Sequence, residues 1–330
     1  MSIVDLPNAL ARVIAEESNR LPLQDLVYAA QRLSAAYRRG GISLPRRLTE
    51  AERIAYVAVR LPATYATVRM ALAEMSRVVE TGTFAHCLDV GAGPGTASLA
   101  VLAAMPHVSS FWQVERDPGW NEIAESLARA AGLNASRSIG DVATLTAPPC
   151  QLVVAAYVLN ELPGPKLDAI VQGLWAVASA ALVVVEPGTP RGFAAVRRVR
   201  EICLELGGHA AAPCTHDAPC PMTSNDWCHQ AVRIGRGPLH RKLKLAQLGF
   251  EDEKFSYLVM TRLNPRHLAR ARIVRRPIRA GGHVHLDLCS AEGLSRSTVG
   301  RADRASYKAA RGVAWGELWP PTTPDDDELG

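Results

Sequence analysis

The short apolar run Cys87-Leu88-Asp89-Val90, broken at once by Gly91-Ala92-Gly93-Pro94-Gly95, limits what this chain can fold into more than any other feature. Four consecutive residues of this kind read as a buried strand. The glycines let the backbone turn sharply and approach a ligand closely, and the helix expected from near Thr96 presents free N–H groups to it. The pattern then repeats. A second strand, Phe111 to Val114, ends at Glu115, about twenty residues past the loop, where an acid can accept hydrogen bonds from both hydroxyls of a ribose. Gly140-Asp141-Val142 places another acid beyond a third strand, suited to an adenine amine. Leu152 to Ala156 and Ala181 to Val185 are the fourth and fifth strands, the last running into Glu186-Pro187-Gly188. Strands alternating with helices at this rhythm predict an α/β fold with an open, mostly parallel sheet and a ligand at its carboxyl edge. A dinucleotide loop of the usual kind would want a third glycine where Thr96 stands.

The flanking regions read differently. Leu21 to Arg39 carries apolar residues at helical spacing, Gly40-Gly41 breaks it, Thr49 and Glu52 form a capping box for a helix over Ala51 to Arg60, and Pro62 opens another to about Glu80. Residues 1–83 are therefore a helical N-terminal region. At 330 residues, 48% of them hydrophobic, the chain can bury a full core and divide into two or three domains. The first twenty residues lack an apolar run and include Asp5, Glu16 and Glu17, which argues against a secretory or transit leader. No apolar stretch reaches the roughly 20 residues that span a bilayer. A cytoplasmic, bacterial protein with no membrane partner is the expectation. Net charge is only +5, but residues 262–311 hold twelve basic residues against three acids, a local +9 that suits a polyanion. Short strands separated by glycines there, over Arg272–Arg276, His283–Cys289, Gly293–Val299 and near Ala314–Gly316, predict a small barrel-like appendage whose arginines meet the phosphates of structured RNA. The last residues, with Asp325, Asp326, Asp327 and Glu328, read as a disordered tail.

Seven cysteines remain to be placed. Cys87, Cys150 and Cys203 fall in apolar patterns and read as buried small residues. Cys214, Cys220 and Cys228 lie within fifteen residues of one another, and Cys289 stands far downstream. In a reduced cytosol, ligation of a metal or cluster is favoured over disulfides. Prolines on both sides of Cys220 stiffen the loop and lower the entropy lost when its thiolates are gathered. Zinc commonly draws paired Cys-x-x-Cys knuckles, which this segment lacks, while a four-iron cubane accepts wider spacing because each thiolate addresses a different iron. Zinc held by these thiolates, with His216 or His229 replacing one, and four unligated thiols stay open as alternatives.

On LDVGAGPG, Glu115, the Gly-Asp-Val step and VVAAYVLNELP, residues 84–190 resemble a class I S-adenosylmethionine-dependent methyltransferase, a Rossmann-like fold. That resemblance implies a cofactor pocket in which Gly91, Gly93 and Gly95 wrap the methionine portion, Asp89 lies near its amino group, Glu115 at the ribose and Asp141 at the adenine. The acceptor is unnamed, and no catalytic residue is assigned. The Asn/Asp-Pro-Pro-aromatic turn of enzymes that methylate base amines is absent; Asn160 and Glu161 either face the transferred methyl or cap the helix near Pro165. Over residues 50 to 320 the chain resembles the mitochondrial small-ribosomal-subunit methyltransferase-like proteins and their bacterial relatives. The matching stretches are AYVAVRLPATYA, EPGTPRGF, CTHDAPCPM, DWCHQAVR, GHVHLDLC and WGELWP. This second resemblance implies a [4Fe-4S] cluster on Cys214, Cys220, Cys228 and Cys289. It also implies a role on small-subunit ribosomal RNA or in small-subunit assembly, as a methyltransferase or as a non-catalytic assembly factor, with no DNA partner. The expected organisation is 1–83 helical, 84–205 cofactor-binding, 206–235 cysteine-rich, 236–320 completing the sheet and adding a basic β-rich domain, and 321–330 tail.

Overall fold

The protein's structure, a computed structural model, describes residues 3–38, 47–162, 164–223, 225–266 and 269–321. The glycine break at 40–41 and the tail from residue 322 lie outside the described residues. The strands are β1 (Ile3–Val4), β2 (His86–Val90), β3 (Ser110–Glu115), β4 (Ala135–Ile139), β5 (Cys150–Ala156), β6 (Ala178–Pro187), β7 (His209–Ala212), β8 (Gln230–Gly235), β9 (Phe250–Thr261), β10 (Ala271–Ile273), β11 (Ile278–Ala280), β12 (His283–Ser290), β13 (Gly293–Gly300) and β14 (Leu318–Trp319). The helices are α1 (Asn8–Ser18), α2 (Leu23–Arg38), α3 (Glu50–Val59), α4 (Leu61–Val78), α5 (Thr96–Ala104), α6 (Asn121–Ala131), α7 (Gly164–Val177), α8 (Pro190–Glu205), α9 (Pro238–Lys244) and α10 (Arg304–Gly312).

Nine strands form one sheet in the order β1-β8-β9-β6-β5-β2-β3-β4, with β7 also paired to β9. The run β4-β3-β2-β5-β6 is parallel, and β9 enters antiparallel between β6 and β8. A parallel sheet whose order reverses at β2, closed by one antiparallel strand beside the last parallel one, is the class I methyltransferase arrangement. The central strands β5 and β6 are apolar on both faces because helices cover both sides. Cys87, Leu152, Val154, Val183 and Val185 point to one core with α1 to α6, while Leu88, Val90, Val153, Leu182 and Val184 point to the other with α7 and α8. Among the described residues, no helix is long and apolar enough to cross a membrane.

The helical lead-in follows its local signals. Thr49 and Glu52 form the reciprocal capping box of α3, and Pro62 sits in the first turn of α4. The pair α3 and α4 is almost fully buried, so this region is a layer of the main core. The C-terminal part is an open five-stranded antiparallel sheet, β11-β12-β10-β14 with β13 on the other side of β12, and α10 packs on it. The barrel-like expectation missed α10, whose apolar face is too short to stand out among its basic residues.

The basic run is partly structural. Arg262 donates to the carbonyls of Ala178 and Trp175, Arg275 pairs with Asp226, Arg279 donates to the Arg311 and Val313 carbonyls, and Arg296 pairs with Asp287. Arg272, 4% exposed, donates to Pro213 O at 2.8 Å and Gly316 O at 2.9 Å and pairs with Glu74. It thereby ties the second sheet to the cysteine loop and to α4. Arg272→Met is expected to cost about 1–3 kcal/mol in urea unfolding, because two carbonyls lose their donor in a buried site, while Glu74 keeps its ion pair with Arg77. Arg304→Ala, at an exposed position of α10, should change stability by no more than about 0.5 kcal/mol. Similar costs for the two would show that Arg272 is an ordinary member of a solvated face.

Candidate functional site

The glycine loop closes β2 in left-handed backbone conformations at Gly91, Gly93 and Gly95. A Cβ on Gly91 would come within 2.7 Å of Val158, whereas one on Gly93 would meet nothing within 4 Å. A Cβ on Gly95 would come within 2.6 Å of Gln113, so the loop is packed against the protein at both ends and open at its middle. Asp89, 2% exposed, accepts from Ser98 N at 2.9 Å and Ser98 Oγ at 2.7 Å, locking the start of α5 beneath the loop. Burial pushes its pKa up to about 6, against those two hydrogen bonds. Glu115 accepts from Gly93 N at 2.9 Å and Asp117 N at 2.8 Å, so both its oxygens shape backbone. Asp141 is exposed and accepts from Ala143 N at 2.9 Å. All three acids stand at the carboxyl ends of adjacent strands, as the sequence placed them. Arg137, unremarked in the sequence, donates to Gln113 Oε1 at 2.9 Å, to Asn121 Oδ1 at 2.9 Å and to the Gly93 carbonyl. The Gly93 residue is thus held from both sides, by an acid at its N–H and a guanidinium at its C=O.

Beyond β5, the segment 157–161 is fixed from below. Glu186, fully buried, accepts from Leu159 N at 2.7 Å and from the Asn160 amide. Asn160 is thereby turned onto Glu186, and Glu161 lies 3.9 Å from Arg116. Burial raises Glu186 from the ordinary 4.5 to about 7, with the Asn160 and Leu159 hydrogen bonds opposing. A folded-state pKa above the unfolded value makes this group's stabilisation full below about pH 4.5 and lost as pH rises through about 7. Relative to Glu186→Gln, the wild-type unfolding free energy should fall by on the order of 3 kcal/mol across that window, at about 1.4 kcal/mol per unit. Parallel pH profiles for the two proteins would contradict the assignment.

The cysteine loop interrupts a strand. β7 pairs with residues 259–261 of β9 and β8 with residues 250–255, along the same edge, and residues 213–229 leave the sheet between them. The loop carries Cys214, Cys220 and Cys228 outward from that gap. Cys289 arrives from β12, directly opposite Arg272 on β10. All four line one cleft, together with Tyr257, Gln230 and His216. Cys289 Sγ lies 3.9 Å from His216 Nε2. Phe193, Met222 and Val274 pack an apolar wall against Cys220, Cys228 and Cys289. The other cysteines, Cys87, Cys150 and Cys203, are buried in strands and helix as the sequence suggested.

Burial holds the thiols of the cleft in their neutral form. Burial, then the Cys214, Cys289 and Cys220 sulfurs, pushes the Cys228 thiol well up; burial with Cys214 and Cys220 takes Cys289 to about 12. Cys214 is raised by burial and eased by a hydrogen bond from Arg200. Thiols that resist ionisation because they are buried, and because they neighbour one another, would lose that resistance with a metal among them. Arg200, 3% exposed, also donates to His216 O at 2.8 Å and Ala218 O at 2.7 Å, bracing the loop with positive charge. Two buried polar atoms of the cleft, Tyr257 Oη and Gln230 Oε1, have no hydrogen-bond partner among the described residues. Four soft donors, adjacent guanidinium charge and orphaned polar atoms fit a thiolate-held inorganic group. Among the described residues, no three His, Cys, Asp or Glu side chains stand as a ready site for a metal ion.

The human mitochondrial ribosome assembly protein METTL17 is 28% identical over 298 residues, covering 84% of this chain and 64% of that protein. The mitochondrial Rsm22-cox11 tandem proteins 1 and 2 of Schizosaccharomyces pombe are 25% identical, covering 83% of this chain and 44% of each of them. The chain thus spans less than two thirds of these relatives. Solved structures with partial likeness include magnesium protoporphyrin IX methyltransferase from Synechocystis PCC 6803, at 13% identity and TM-score 0.42 over 70% of this chain and 94% of that one. A putative RNA methyltransferase from Pyrococcus horikoshii matches at 12% identity and TM-score 0.40 over 60% and 83%. Residues 50–320 match the model of the family described as mitochondrial small ribosomal subunit Rsm22, and the chain belongs to that family.

Proposed function

We propose that this protein is an S-adenosylmethionine-binding, methyltransferase-like factor that acts on small-subunit ribosomal RNA or in small-subunit assembly, and that Cys214, Cys220, Cys228 and Cys289 hold a [4Fe-4S] cluster in it. The observation that carries the reading is the meeting of three loop thiols with a fourth from a separate sheet, in one cleft beside a methyltransferase sheet. The names of the relatives, a ribosome assembly protein among them, supply the ribosomal part.

Bound S-adenosylmethionine supplies an electrophilic sulfonium methyl, and the cluster a rigid inorganic cross-link. The chain's own residues do the positioning. The Gly93 peptide, clamped by Glu115 and Arg137, presents an open face to the methionine portion, while Asp89 holds the start of α5 under it. Each Glu115 oxygen accepts one backbone amide and keeps a second lone pair with which to accept from a ribose hydroxyl. Binding without transfer is favoured by one observation: of Asn160 and Glu161, the two polar side chains after β5 that the sequence offers, Asn160 donates its amide to Glu186.

Ultraviolet crosslinking of the tagged full chain in cells, with sequencing of the recovered RNA, tests the ribosomal reading. Crosslinks concentrated on small-subunit ribosomal RNA are expected; their absence from that RNA would overturn it. Transfer of labelled methyl from S-adenosylmethionine to immature small subunits would decide for the enzyme over the scaffold.

A further inference from the structure

One side chain of the cleft has chemistry that no role above absorbs. Tyr257 lies on β9 where the interrupted strand leaves that edge open, between the residues paired to β7 and those paired to β8. It is 3% exposed, and its hydroxyl has no hydrogen-bond partner among the described residues. Its neighbour Ser256 donates to Cys228 O at 2.7 Å, so this stretch of β9 is already fastened to a cysteine. A buried hydroxyl left unsatisfied destabilises the fold, and a phenylalanine would fill the same space without that cost. Burial above all, with Arg272 opposing and Glu74, Cys228 and Cys214 adding, raises its pKa above the ordinary tyrosine range, so the oxygen keeps its proton and remains a donor.

We propose that Tyr257 donates a hydrogen bond to a sulfur of the group held by Cys214, Cys220, Cys228 and Cys289 and thereby sets its reduction potential. This rests on the cluster reading above. A donor aimed at sulfur stabilises the more negative, reduced state more than the oxidised one, so it raises the potential. The hydroxyl is the only part of the side chain that the substitution to phenylalanine removes.

The test compares anaerobically reconstituted full-length wild type and Tyr257→Phe by iron and sulfide analysis, spectroelectrochemical titration, and resonance Raman in H2O and D2O. Equal iron and sulfide are expected, with the variant's reduction equilibrium about tenfold less favourable, about 59 mV for one electron, and a smaller deuterium shift of its iron–sulfur stretches. Should the variant fail to fold, 3-fluorotyrosine placed at position 257 keeps the shape while acidifying the donor, and should raise the potential. An unchanged potential and unchanged deuterium shift in a cluster-loaded variant would overturn the role of Tyr257. A wild type that takes up no iron and sulfide would instead overturn the cluster reading on which it rests.

Discussion

Cys289→Ser should strip the protein of most of its iron and sulfide and lower its melting midpoint by on the order of 10 °C. Two effects combine. Serine keeps the shape but replaces a soft, polarisable thiolate with a hard hydroxyl that iron–sulfur centres bind poorly. As a ligand, Cys289 would also join β12 of the second sheet to the loop from the first. Ligand binding to a site absent from the unfolded chain is folding free energy, so losing it releases the second sheet as well as the inorganic group. Cys203→Ala is the control. Cys203 is fully buried in α8 within the apolar core that includes Val199 and Ile202, so it should lose packing energy alone and keep its iron. Undiminished iron in Cys289→Ser, measured by elemental analysis with a calorimetric scan, would remove Cys289 from the ligand set.

Gly93→Leu should weaken S-adenosylmethionine binding about 100-fold, about 2.7 kcal/mol, with a modest effect on folding. The reason lies in what surrounds this glycine. No protein atom stands within 4 Å of a Cβ built there, so a side chain enters the space assigned to the cofactor rather than the core. Its backbone φ of +52° adds strain of about 1–3 kcal/mol. Gly91 would make a poor probe, because its Cβ strikes Val158 and the fold would suffer first. Isothermal titration with S-adenosylmethionine reads the effect directly; affinity within a factor of two of wild type would place the cofactor elsewhere. An assembly function that survives Gly93→Leu in cells would separate scaffold from enzyme.

Much of this was legible before any coordinates. Four of the five parallel strands announced themselves because each is a short, mostly apolar run followed by a turn or an acid, whereas β4, Ala-Ser-Arg-Ser-Ile, is marked only by the Gly-Asp-Val step after it. The capping box at Thr49 was readable because its chemistry is local. The three acids of the loop region could be placed in order, since each stands near the carboxyl end of a strand. What the sequence concealed is non-local. That β7 and β8 are two pieces of one sheet edge follows only from their shared partner β9, and no periodicity marks it. Arg272, Arg262 and Arg279 looked like members of a basic face, because nothing in a run of arginines tells a guanidinium capping carbonyls from one in water. Asn160 looked available for an acceptor until Glu186, distant in sequence, appeared beneath it. Tyr257 sat in a plainly apolar strand, and its hydroxyl matters only because the opposite strand is missing there.

The most direct test of the central claim is Mössbauer spectroscopy with iron and acid-labile sulfide analysis on the anaerobically purified full chain, enriched in 57Fe. About four iron and four sulfide per chain, in a single four-thiolate environment, are expected. A protein carrying zinc in their place, or iron without sulfide, would contradict it.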